Sequence, residues 1–142
     1  MKNLNTENFE VCMALEKGLF LLSFSSATCG PCRSMEPVFL ELEKANPKIS
    51  LYKISVEESP ELATHFGVRG VPHIAFCEGR EVLYEFTGLT PLNDLQYVVD
   101  HIDDTHFRLY GDFKKLEKKT DWTFILSIGL IVAVFAGLFI FT

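Results

Sequence analysis

Basic charge is scarce over most of this chain. Residues 1–107 carry 8 Lys and Arg against 16 Asp and Glu, a net charge of −8. That excludes a nucleic-acid surface, which needs clustered basic residues. The N-terminus, Met1-Lys2-Asn3-Leu4-Asn5, has no apolar stretch of the signal-peptide kind, so no Sec-type export is expected. Cysteine is sparse too, with only Cys12, Cys29, Cys32 and Cys77. In reducing surroundings, four do not make a disulfide framework. A structural zinc wants four ligands and one Cys-x-x-Cys supplies two, so no metal is expected. His101 and His106 lie far down the chain. Cys12 and Cys77 stand alone and read as small packed hydrophobes.

What is present is a cysteine pair in a telling position. The apolar run 19–24 reads as a buried strand. From Cys32 onward, Met35, Val38, Phe39 and Leu42 fall at helical spacing. Cys29 should therefore sit at or just before a helix N-terminus, where free N–H groups and the helix dipole favour an anion. A thiolate is such an anion, and this setting can lower a cysteine pKa to roughly 3.5–7.5. Cys32 can then attack a mixed disulfide formed at Cys29. The local chemistry is dithiol–disulfide exchange.

The C-terminal end differs in kind. Residues 122–141 form a 20-residue run without a charge, long enough at 1.5 Å per residue to cross a bilayer core of about 30 Å. We expect a transmembrane helix there, acting as a tail anchor, with Trp122 at the interface. Arg108, Lys114, Lys115, Lys118 and Lys119 precede it and no cation follows. The positive-inside rule then places the N-terminal domain in the cytoplasm, with a bacterial inner membrane favoured. Gly129, Ala133 and Gly137 are spaced by four along one face, a pattern that permits close helix contact and a homodimer.

Taken in order, residues 1–5 can form a short edge strand. Asn5 or Thr6 then caps a helix of about 6–17 with Phe9, Met13 and Leu15 inward. A strand at 19–25 precedes the Cys-x-x-Cys helix, which runs to about Ala45. A strand over 49–56 and a short helix over 61–66, closed by Gly67, come next. A hairpin follows (74–77 and 81–86), and then a last helix carrying Leu92, Leu95, Val98, Val99 and Ile102. The order β-α-β-α-β-α-β-β-α predicts a mixed sheet between helices. Three segments result: a domain over 1–104, a basic juxtamembrane connector over 105–121 and the span over 122–141. The connector is either an amphipathic stretch on the membrane or a flexible linker.

The tetrapeptide Cys29-Gly30-Pro31-Cys32, the proline five residues later, and Val71-Pro72 before a hairpin resemble thioredoxin. The resemblance covers about residues 1–104 and implies the α/β thioredoxin fold. It implies Cys29 as attacking thiolate and Cys32 as resolving thiol, with Gly30 and Pro31 shaping the turn. Pro72 is implied to be cis and, with Val71 and Thr28, to border the substrate groove. The activity implied is protein-disulfide oxidoreduction, most simply reduction. It needs no cofactor beyond the cysteine pair, and its partners are disulfide-containing clients and a thiol or reductase electron donor. An oxidase or isomerase on the same fold, and a non-catalytic binding module, are the other readings.

Three further residues are candidate modulators. Lys53 falls on the family's lysine beneath the active site. Ser23 stands where the family has a buried Asp that assists proton transfer at the resolving cysteine. A serine cannot act as a base near neutral pH, so that step should be slower, and Lys53 should lose its usual partner, which would favour thiolates. Thr28 replaces the tryptophan before the first cysteine, and Ser25 another aromatic. His73 is either strand packing or a cation close enough to stabilise Cys29 as thiolate. Glu57 and Glu58 read as a solvated loop face.

Overall fold

A computed structural model describes residues 1–110. The transmembrane span expected at 122–141, its Gly129, Ala133 and Gly137 face, and residues 111–121 of the connector lie outside the described residues. Among the described residues no helix is long and apolar enough to cross a membrane.

The elements are β1 (Lys2–Asn3), α1 (Phe9–Leu15), β2 (Leu19–Ser25), α2 (Gly30–Ala45), β3 (Ser50–Ser55), α3 (Pro60–His65), β4 (His73–Glu78), β5 (Glu81–Thr87), α4 (Leu92–His101) and α5 (Thr105–Tyr110). They build one five-stranded sheet in the order β1-β3-β2-β4-β5. β1, β3 and β2 run parallel, and β4 and β5 are antiparallel to their neighbours. The mixed sheet expected from the sequence is present, with α5 added at its end.

β2 is central because its side chains are apolar on both faces. Phe20, Leu22 and Phe24 join Tyr52, Ile54, Ala75 and Cys77 in one core layer, against which Phe9, Met13 and Phe66 pack from the α1 and α3 side. By alternation Leu21, Ser23 and Ser25 face the other side, where buried Leu51, Ile74 and Phe76 meet Met35, Phe39 and Leu42 of α2 and Leu95 and Val98 of α4. Each fully buried Phe or Leu here contributes about 1.5–3 kcal/mol. Asn46 at the end of α2 donates to Gln96 Oε1 on α4 at 2.8 Å, which fixes the two helices together.

Two local differences from the sequence reading have simple causes. Asn5 does cap the first turn: its Oδ1 accepts from Asn8 N, while Asn8 Oδ1 accepts from Asn5 N, a reciprocal box. Regular helix begins only at Phe9, and Leu15 is 74% exposed rather than inward. Phe9, Cys12 and Met13 share one stripe; at 100° per residue Leu15 lies about 120° off it.

The ends of the short elements follow known chemistry. α3 stops in a Schellman motif, in which Val68 N donates to Ala63 O (2.8 Å) and Gly67 N to Thr64 O (3.0 Å). That motif needs the left-handed φ of 65° at Gly67, which glycine adopts without a Cβ clash.

α5 falls in the segment read as a connector. Phe107 is buried there, stacked on Tyr84 at 5.3 Å and edge-on to Tyr97 at 6.0 Å. Arg108 donates to Glu78 Oε2 at 2.7 Å and to Ile102 O at 2.8 Å. Phe107 and Arg108 thus fasten this helix to the domain, while Leu109 and Tyr110 stay exposed.

Candidate active site

The end of β2 and the start of α2 bring the two cysteines together. Cys29 occupies the N-cap of α2 in extended conformation, and its Sγ accepts from Cys32 N at 3.1 Å. This is an N-cap made by sulfur, at the positive end of a 16-residue helix. Pro31, in the first turn, has no N–H to satisfy, which suits that position. Cys29 and Cys32 are joined in a disulfide, with Cα atoms 5.3 Å apart. Cys29 is half-buried and Cys32 is buried at 7% exposure. An outer sulfur is reachable and an inner one is held behind it.

The sheet register sets what lies alongside. β2 pairs with β4 so that Phe24 faces His73, which places Pro72 next to the end of β2. The Val71–Pro72 bond is cis, and the Pro72 carbonyl accepts from Gly88 N at 2.8 Å. Val71 is half-buried and Thr28 is exposed.

The loop before Cys29 is fastened by a carboxylate that reads as a solvated face in the sequence. Glu57 Oε1 accepts from Ser26 Oγ at 2.6 Å and Oε2 from Ala27 N at 3.1 Å. Ser26 Oγ also accepts from Thr28 N at 3.3 Å. These bonds hold the Glu57 carboxyl below its ordinary pKa, the Ser26 hydroxyl contributing most. Nothing in the sequence marks this role, which depends on β3 lying beside β2.

The modulators are placed differently from one another. Ser23 is buried on the α2 side of the sheet and pairs with Lys53 across the β2–β3 ladder. Lys53 has not lost a counter-ion: its Nζ donates to Glu36 Oε1 on α2 at 2.7 Å. The residue opposite Lys53 on the strand is the neutral Ser23, and a carboxylate on the helix partners Lys53. Lys53, Glu36 and Cys32 line a cleft of about 280 Å³.

His73 points the other way. It shares a face with Phe24, its ring 5.8 Å from that phenyl ring. Its Nδ1 lies 3.0 Å from Thr87 Oγ1, and its Nε2 3.5 Å from Glu85 Oε1. These contacts favour the strand-packing reading over a role beside the dithiol.

Cys12 and Cys77 are free thiols in the α1/α3 core layer. Burial, aided by Glu85, pushes the Cys77 thiol up to about 12 and leaves it unreactive. Among the described residues no group of three or more His, Cys, Asp and Glu is placed to hold a metal ion.

A sulfur-capped helix with a second, buried sulfur one turn on, mounted on a mixed sheet beside a cis-proline, defines a thiol–disulfide exchange protein. Comparison with known proteins agrees. The family model for thioredoxin matches residues 1–101. The chain is 32% identical over 94 residues to a thioredoxin of Alicyclobacillus acidocaldarius subsp. acidocaldarius, covering 66% of this chain and 89% of that one. It is 31% identical over 101 residues to a thioredoxin of Listeria monocytogenes serovar 1/2a, covering 70% and 96%. A solved structure from work on thiol resolving in a yeast mitochondrial 1-Cys peroxiredoxin via glutathione/thioredoxin systems superposes with a TM-score of 0.63. At 23% identity, covering 70% of this chain and 94% of that one, it speaks for the fold.

This chain belongs to the thioredoxin family. It is a thiol–disulfide oxidoreductase, and its redox group is the cysteine pair itself, with no cofactor.

Proposed function

We propose that this protein reduces disulfides of client proteins at a membrane surface. The observation that carries the reading is Cys29 at the N-cap of α2 with Cys32 buried behind it. As thiolate, Cys29 attacks a client disulfide and one client sulfur leaves. Cys32 then attacks Cys29 Sγ, the mixed disulfide breaks, and the second client sulfur departs as thiolate. The client gains two electrons and the pair is left oxidised. A thiol or reductase donor resets it. Val71, Pro72 and Thr28 border the groove in which the client chain lies.

The membrane part of this reading is supported by sequence alone. The uncharged 20-residue run at 122–141 tethers the domain, and the lysines before it put the domain on the cytoplasmic side, in a bacterial inner membrane. Gly129, Ala133 and Gly137 give that helix a face for pairing. Tethering raises the effective concentration of the dithiol toward membrane-bound clients.

The test is a trapping experiment on the full chain. A Cys32→Ser variant accumulates mixed disulfides with membrane-fraction proteins, and Cys29→Ser accumulates none. Absence of trapped species in both variants would leave a non-catalytic binding module as the reading. A reduction potential near about −270 mV supports a reductant, and one near roughly −120 to −180 mV an oxidant or isomerase.

A further inference from the structure

The active-site cleft holds a charge arrangement that the family resemblance does not supply. Ser23, opposite Lys53 in the ladder, is neutral. Lys53 instead reaches across the cleft to Glu36, which stands four residues after Cys32 and so one helical turn along the same face of α2. The other charged groups facing this cleft are Arg33, Glu57 and Glu58. Glu57 is committed to Ser26 and Ala27, and Arg33 donates to Ala27 O at 3.4 Å. Glu36 is the carboxylate bonded to the Lys53 ammonium.

We infer that Glu36 is a positioning residue that neutralises Lys53 and, through it, sets how readily Cys32 gives up its proton during resolution. The inference rests on the resolving role proposed for Cys32. In that step the Cys32 thiol loses its proton to water in the cleft. The thiolate then attacks Cys29 Sγ, the Cys29–Cys32 bond forms as the Cys29–client bond breaks, and the client sulfur takes up a proton. A free ammonium in the cleft would favour the Cys32 thiolate; one paired with a carboxylate favours it less. The pairing persists across the neutral range, because the Lys53 hydrogen bond holds the Glu36 carboxyl below its ordinary pKa. Both side chains are partly exposed, at 36% for Lys53 and 51% for Glu36. The pair is therefore a modest contributor to stability, and its removal leaves the fold in place.

The experiment follows the Cys32 Cβ chemical shift against pH in the full chain in detergent micelles, with Cys29→Ser to isolate the inner thiol. Glu36→Gln lowers the Cys32 pKa by up to about one unit, the low end for a close charge, because the cleft is open to screening solvent. The same substitution made on Lys53→Met shifts it by much less, because the charge through which Glu36 acts is gone. An unmoved pKa in Glu36→Gln, or an equal drop with and without Lys53, overturns the inference. A failure of the trapping experiment would count against the resolving role instead, and this thiol titration, which needs no client, would still report the charge coupling.

Discussion

Ser26 and Glu57, 31 positions apart, are joined by a 2.6 Å hydrogen bond that ties the loop carrying Cys29 to the end of β3. With the second bond from Ala27 N, the carboxylate holds both ends of a two-residue step just before the reactive turn. We expect Glu57→Ala to slow disulfide exchange severalfold, because reacting groups must be held in a productive geometry. Its pKa is depressed in the folded state, so the tie is present above the ordinary carboxylate value of 4.5 and is lost as pH falls through the lower folded value. The Ala27 amide shift should titrate in that acid window in the native chain and stay flat in Glu57→Gln.

Cys77 makes the opposite pH prediction. Its thiol pKa is raised from 9.0 to about 12 by burial and Glu85. The folded state holds the proton more tightly, so this contribution is full below the unfolded value and declines as pH rises toward 12. Tyr52, raised by burial and its hydrogen bond to Glu16, acts in the same sense. The urea midpoint of the reduced protein should therefore fall progressively above pH 9. Cys77→Ala should reduce that slope, at a cost of about 1 kcal/mol at neutral pH.

Phe107 tests where the folded unit ends. Its buried ring stacks on Tyr84 and meets Tyr97 edge-on, and truncation removes both contacts. Phe107→Ala should cost about 3 kcal/mol, read as a lowered urea midpoint with an unchanged m-value. Leu109, exposed two residues on, should change stability by no more than about 0.5 kcal/mol when replaced by Ala.

Much of this architecture is legible in the residues. The two-sided apolar run of β2, the helical spacing after Cys32 and the glycine after α3 each follow from local rules, and local rules suffice for element order. The cysteine pair is legible for the same reason, since a helix N-terminus is a local feature. Glu36 and Glu57 are not, because their roles depend on side chains reaching partners brought close by strand pairing. His73 needed the β2–β4 register to show which face it occupies, for a shift of one residue would have turned it to the other side. α5 is too short for periodicity, and Phe107 is recruited by aromatic partners rather than by a pattern of its own.

Ser23→Asp asks what the buried serine costs. The position is 3% exposed, on the α2 side of the sheet and opposite Lys53, so the new carboxylate would compete with Glu36 for one ammonium. A buried, incompletely paired charge should destabilise the protein by about 1–3 kcal/mol at neutral pH. Desolvation would raise its folded pKa, so that loss should shrink as pH falls and the group takes up a proton. A carboxylate with a raised pKa is a competent proton acceptor near neutrality, which serine is not. Release of a client from its mixed disulfide with Cys29 should then quicken by up to about a hundredfold in a single-turnover assay, the low end for general base catalysis. An unchanged release rate alongside the stability loss would mean that deprotonation of Cys32 does not limit the step, and that water in the open cleft already carries the proton away fast enough.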